Sequence, residues 1–113
     1  MSRDETYLLD MLLAARKVRQ YAERHSKDAF RSDELMQMGI IHLIQIIGEA
    51  ARGVSAEFQD SHPEIPWQEV VGMRHRLVHD YLNVDIDRVW KTVEEDIPHL
   101  IGQLEVLVKE ERK

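Results

Sequence analysis

Apolar residues recur at intervals of three and four along most of this chain, the spacing that places them on one face of an α-helix. Leu8, Met11, Leu12, Ala15, Val18 and Ala22 form the first stripe and predict a helix over Asp4–His25. Ser2 and Glu5 stand three apart at its start, as in a capping box. Arg16, Lys17, Arg19, Glu23 and Arg24 lie mostly off the stripe and read as solvated. Ser26–Ser32 reads as a connector with room for one short turn around Ala29 and Phe30. Ser32 is the expected N-cap of a second helix, Asp33–Val54. Leu35, Met36, Met38, Ile40, Ile41, Leu43, Ile44, Ile46 and Ile47 make that helix apolar over more than one face. Such a helix is central to a fold or shared with a partner. In a chain of 113 residues the expectation is both, and hence a dimer. Gly39 and Gly48 either admit another backbone or are simply tolerated in the helix.

Beyond Ser55 comes a short helix, then His62-Pro63-Glu64-Ile65-Pro66, which two prolines hold extended. Pro66 suits the first turn of a third helix, Pro66–His79, with Trp67, Val70, Val71, Leu77 and Val78 facing the core. Tyr81–Val84 breaks the pattern, and Asp85 caps a fourth helix. Its stripe runs through Ile86, Val89, Trp90, Val93, Ile97, Leu100, Ile101, Leu104, Leu107 and Val108. Pro98 lies inside this stripe and predicts a kink, because proline removes a backbone donor and crowds the preceding turn. Glu94, Glu95 and Asp96 read as a solvated acidic face, and Glu110–Lys113 as a fraying end. The fold class is all-α: an up-and-down bundle of four main helices with a proline-kinked last helix, one domain over residues 1–113.

Composition narrows the function. The chain has no cysteine, so neither a disulfide framework nor a Cys-ligated metal site is open to it. The charged start lacks the apolar core of a signal peptide. The longest apolar run, Gly39–Gly48, is interrupted by His42 and Gln45 and is too short to span a bilayer. A cytoplasmic protein without membrane partners is expected. The net charge of −6 argues against general nucleic-acid binding and requires any such contact to be a local basic patch. Arg76, Arg88 and Lys91 are residues that could extend one. A basic protein partner would be favoured.

The chemistry concentrates in Arg74-His75-Arg76-Leu77-Val78-His79-Asp80-Tyr81. On an ideal helix His75 and His79 are about 40° apart, whereas Arg74 and His79 differ by about 140°. Arg74 and His79 converge only if the helix ends or distorts near His79, or if the arginine wraps round. Three readings compete. One is a polar helix end, its cations set against the C-terminal dipole. Another is a metal site built on the paired histidines, although the Glu of the metalloprotease pattern is missing. The last is acid–base chemistry at a phosphodiester. There a histidine takes the proton of a ribose 2′-hydroxyl and an arginine stabilises charge on the phosphoryl oxygens. RNA brings its own nucleophile, so this reading needs no metal and no cofactor. Glu49, at the end of the second helix, is either solvated or a carboxylate turned inward to hold Arg74.

Arg74, His75 and His79 match the Arg-polar-x3-His motif of the HEPN ribonuclease superfamily. Arg74, His79 and Tyr81 match the longer Arg-x4-His-x-Tyr form of its HepT-like toxins. Ile46-Ile47-Gly48-Glu49-Ala50-Ala51, His62-Pro63-Glu64-Ile65-Pro66-Trp67, Met73-Arg74 and Val89-Trp90 also resemble that family in order and spacing. The resemblance implies helical homodimers whose motifs face a shared cleft, and RNA cleavage without metal that requires Arg74 and His79. His75, Asp80 and Glu49 are auxiliary positions. It further implies the toxin half of a type VII-like toxin–antitoxin pair. The antitoxin would be an MntA-like nucleotidyltransferase that moves AMP from ATP to Tyr81. Bulk and negative charge on that tyrosine would keep an RNA phosphate away from Arg74 and His79. An alternative from another class is a non-nucleolytic helical protein that serves as binding partner and substrate of the nucleotidyltransferase.

Overall fold

Four helical legs carry the chain, and all but the third, which starts at Pro66, begin at a side-chain cap the local sequence supplies. In the computed structural model, which describes residues 2–80 and 83–111, α1 spans Arg3–Arg24. It opens on the expected reciprocal cap. Ser2 Oγ accepts the Glu5 N–H at 3.1 Å, and the Glu5 carboxylate accepts the Ser2 N–H at 3.2 Å. Leu8, Met11, Leu12, Ala15 and Val18 are buried between α3 (Glu34–Gly53) and α8 (Ile97–Glu111).

The connector after α1 contains α2, Lys27–Arg31, capped by Ser26. It is more than a turn, because Phe30 is fully buried and meets Trp90 with ring centroids 5.2 Å apart. Lys27 and Arg31 both reach the Asp87 carboxylate, so α2 is tied to α7 (Ile86–Lys91) by one aromatic and two ionic contacts. The aromatic contact dominates, since exposed ion pairs contribute under about 1 kcal/mol. The presence of α2 shifts the next cap. Ser32 closes α2, donating its hydroxyl to the Asp28 carbonyl at 2.9 Å. Asp33 caps α3 in its place, accepting the Met36 N–H at 3.0 Å.

Met36, Ile40, Ile41, Ile44 and Ile47 of α3 are buried, whereas Leu35 and Met38 are 81% and 53% exposed. The second apolar face predicted for this helix is therefore real: Leu43 and Ile46 are half-buried against the core, and Leu35 and Met38 stay uncovered among the described residues. The two glycines differ. A Cβ at Gly39 would meet nothing within 4 Å, but one at Gly48 would lie 3.0 Å from the Val71 carbonyl oxygen and 3.2 Å from that of Val70. Gly48 is where α3 and α5 (Trp67–Val71) touch backbone to backbone.

Ser55 caps α4 (Ala56–Ser61), and the Asp4 carboxylate accepts both its N–H and its hydroxyl, at 2.8 and 2.7 Å. The proline-bounded segment that follows is locked by Trp67. The indole Nε1 donates to the His62 carbonyl at 2.9 Å, and its edge faces the Phe58 ring. Trp67→Phe should keep the packing but leave that half-buried carbonyl without its donor. A loss of about 1 kcal/mol is expected, readable as a lower urea midpoint at unchanged slope.

The predicted third helix is two helices. Gly72, with φ −91° and ψ 3°, separates α5 from α6 (Met73–Leu77). The helix also ends two residues sooner than expected. Val78–Asp80 forms β1, which pairs antiparallel with β2 (Asn83–Val84), joining Val78 to Val84 and Asp80 to Asn83 with an irregular register. The physical cause is at Leu77: its side chain is core, and its carbonyl accepts the Asp85 N–H at 2.9 Å rather than continuing a helix.

Asp85 caps α7 as predicted, accepting the Arg88 N–H at 3.1 Å. α7 leads into a π-helical turn, Thr92–Asp96, and then α8, with no gap between them. The strain expected at Pro98 is met one turn earlier. There the Ile97 N–H reaches back five residues to the Thr92 carbonyl, and the widened turn makes room for a residue without a donor. The fold is all-α apart from the short β1–β2 pair. No helix among the described residues is long and apolar enough to cross a membrane.

Candidate active site around Arg74

The site is assembled by α5 and α6. Trp67, Val70, Met73 and Leu77 sit on their inner side and are all at most 7% exposed. This anchoring fixes the direction of the residue after Met73. Arg74 is half-buried, and its Nε is wholly covered yet has no hydrogen-bond partner among the described residues. Among the described residues no carboxylate pairs with it. A covered donor without an acceptor costs about 1–3 kcal/mol, which points to an acceptor beyond those residues.

The residues around Arg74 separate. His75 is exposed on α6. His79 follows in β1, after the change from helix to strand, so the shared helical face expected for His75 and His79 does not form. With that face goes the i, i+4 geometry of the metal reading, and no group of three or more metal-binding side chains is found among the described residues. For His79 and Asp80 the description is of the backbone alone, and Tyr81 lies outside the described residues. Glu49 is exposed and accepts a hydrogen bond from Gln45 Nε2 at 3.0 Å. It does not turn in toward Arg74, because Gly48 beside it faces α5 and the next position points away to solvent.

Arg76 does not extend the Arg74 side. Its Nη2 spans the Gly72 break to the Glu69 carbonyl at 2.9 Å. It lines a cleft of about 100 Å³ with Met73, Asp96, His99 and Gln103. Two positions apart on a helix are roughly 200° apart, so Arg74 and Arg76 face opposite ways. Arg88 and Lys91 are exposed on α7. The α1 pair Tyr21 and His25 is absent from the sequence reading, although its i, i+4 spacing is the signal that could have found it: the two rings stack at 4.7 Å.

What this arrangement offers is one guanidinium held by a buried framework, with no acceptor or carboxylate on it among the described residues. The helix-to-strand change then carries a histidine five positions on.

Comparison with known proteins agrees with the motif. The family model described as "Ribonuclease HepT-like" matches residues 11–107. Probable ribonuclease HepT of Thermococcus cleftensis is 40% identical over 103 residues, covering 91% of this chain and 94% of that protein. A provisionally named RNase of Methanocaldococcus jannaschii is 31% identical over 103 residues, with the same two coverages of 91% and 94%. Another, from Caldanaerobacter subterraneus, is 32% identical over 87 residues, 77% of this chain and 78% of that protein. No solved structure matches the chain.

Proposed function

The chain belongs to the HepT-like ribonuclease family, and from that premise we propose that it is a metal-independent endoribonuclease acting as the toxin of a toxin–antitoxin pair. The observation that carries the reading is Arg74: a half-buried guanidinium anchored by buried neighbours, with a covered Nε and no acceptor for it among the described residues. A phosphodiester supplies that acceptor and takes charge-assisted bonds from such a fork.

In the proposed reaction His79 removes the 2′-hydroxyl proton. The 2′-oxygen attacks the adjacent phosphorus while Arg74 stabilises the charge gathering on the equatorial oxygens. The bond from phosphorus to the 5′-oxygen breaks, and that oxygen takes a proton from a general acid. A second copy's His79, the exposed His75 and water are the available acids. The products are a 2′,3′-cyclic phosphate and a 5′-hydroxyl. A homodimer suits this chemistry, and Leu35 and Met38 leave α3 with an apolar face for a second copy to cover. Silencing would come from an MntA-like nucleotidyltransferase that joins AMP to the Tyr81 hydroxyl and releases pyrophosphate.

The test is cleavage of end-labelled RNA in excess EDTA, using wild type made without a nucleotidyltransferase and shown by intact mass to carry no AMP. Cleavage that persists in EDTA, leaves cyclic phosphate ends and disappears in His79→Ala is the expected result. No cleavage by unmodified wild type over a broad RNA panel would leave the chain as a binding partner instead. Tyr81→Phe should remain nucleolytic while resisting AMP transfer. If its mass still rose by one AMP, the acceptor would lie elsewhere.

A further inference from the structure

Away from Arg74, the C-terminal part of α1 carries an aromatic step with exposed cations beside it. Tyr21 and His25 stack nearly parallel, with ring centroids 4.7 Å apart and planes 15° from each other. The step is fixed rather than transient, because His25 Nδ1 lies 2.9 Å from the Tyr21 carbonyl. A carbonyl only accepts, so Nδ1 carries the proton and the ring is held in place. Tyr21 is nonetheless 43% exposed. With Lys17, Gln20, Arg24, His25 and Leu43 it lines an open depression of about 530 Å³. On the helix Lys17, Gln20, Tyr21, Arg24 and His25 fall within one face about 140° wide.

The cations of the C-terminal part of α1 divide into two groups. Arg16 and Arg19 are engaged by Glu105 and Glu23. Lys17 and Arg24, which flank the stacked rings, are exposed and have no carboxylate partner among the described residues. Asp33, on the neighbouring depression that Tyr21 also lines, accepts the Met36 N–H at the α3 cap and forms no ion pair with either cation. In a chain with net charge −6, this is a local basic patch built around an aromatic stack. Bases stack on exposed aromatic rings while cations hold the phosphates on either side, the combination by which single strands are bound without base-specific contacts.

We propose that Lys17, Tyr21, Arg24 and His25 form a stacking platform for single-stranded RNA on the C-terminal part of α1, distinct from the Arg74 site. The proposal deepens the ribonuclease reading, since it names where the substrate strand is gripped outside the scissile phosphate. A duplex keeps its bases inside and offers the platform nothing to stack. The preference is therefore for unpaired RNA.

The experiment uses the full chain and a labelled 2′-O-methyl RNA of about a dozen nucleotides, a length that spans a site of this kind. The methyl group removes the nucleophile, so binding is read by anisotropy without cleavage. Wild type should bind the single strand and discriminate against the corresponding duplex. Tyr21→Ala should weaken single-strand binding about tenfold, the loss of one stacked base, with helical content unchanged. The double variant Lys17→Gln, Arg24→Gln should lower the slope of log affinity against log salt by about 1.4, from two lost phosphate contacts on a single strand. Single-strand binding unaltered by Tyr21→Ala would overturn the platform. So would a shift of Tyr21→Ala to a smaller species in sedimentation, which would make Tyr21 part of an interface between copies. The two readings fail separately. A wild type that cleaves no RNA but loses 2′-O-methyl RNA in Tyr21→Ala keeps the platform and loses the nuclease. A wild type whose cleavage and binding both ignore Tyr21→Ala keeps the nuclease and loses the platform.

Discussion

Arg74→Met should abolish RNA cleavage while leaving the protein as stable as wild type or more so. Removing an arginine that stabilises charge on a transferring phosphoryl group costs about 10³-fold or more in rate. Ordinarily a half-buried arginine also holds part of the fold together. Here, among the described residues, the guanidinium has no ion pair and its covered Nε has no acceptor. Methionine keeps much of the stem's apolar packing and deletes the unsatisfied donor. A gain of about 1 kcal/mol is therefore expected, seen as a higher melting temperature. Arg74→Lys separates charge from geometry. It keeps the positive charge but loses the planar fork, so only a small part of the rate should return. Single-turnover cleavage and thermal melting of the same three proteins check both halves. A destabilised Arg74→Met would mean that the guanidinium serves the fold, and the ribonuclease reading would lose its main support.

Gly48→Val has the opposite profile, with stability lost first and activity as a consequence. The new Cβ would come within 3.0 Å of the Val71 carbonyl oxygen and 3.2 Å of that of Val70. Both are backbone atoms inside a helix and have no rotamer by which to withdraw. The remaining way out is to push α5 away from α3, at a cost of about 3 kcal/mol or more. Because α5 runs into α6 across Gly72 alone, that displacement reaches Arg74 directly. Gly48→Val should therefore unfold at markedly lower denaturant and cleave poorly even where it remains folded. Gly102→Ala is the matched control. No atom lies within 4 Å of its Cβ position in α8, so the change should stabilise by roughly 1 kcal/mol through helix propensity. Equal midpoints for the Gly48 and Gly102 variants would refute the backbone contact.

The same contrast runs through the molecule. Ser2, Asp85 and the three–four stripes of α1 and α8 are local signals, and each is found where the sequence puts it. Ser32 fails as a cap because a neighbour acts on it: Phe30 docks on Trp90, stabilises α2, and leaves Asp33 to start α3. The helix expected to reach His79 stops at Leu77 for a similar reason, a bond from Asp85 that no periodicity announces. Pro98 is visible as a problem in the sequence, but its solution, a π turn at Thr92–Asp96, is not.

The sequence by itself determined the all-α class, the main helices, the apolar faces and the motif beginning at Arg74. Those depend on residue types at short spacing, and hydrophobic periodicity and capping are short-range physics. Only the tertiary structure decided which glycine is a contact, which arginine has a covered donor unpaired among the described residues, and that Glu49 faces solvent while Arg76 faces a different cleft. Those depend on what lies across the bundle, where residues far apart in the chain compete for the same space and the same hydrogen bonds.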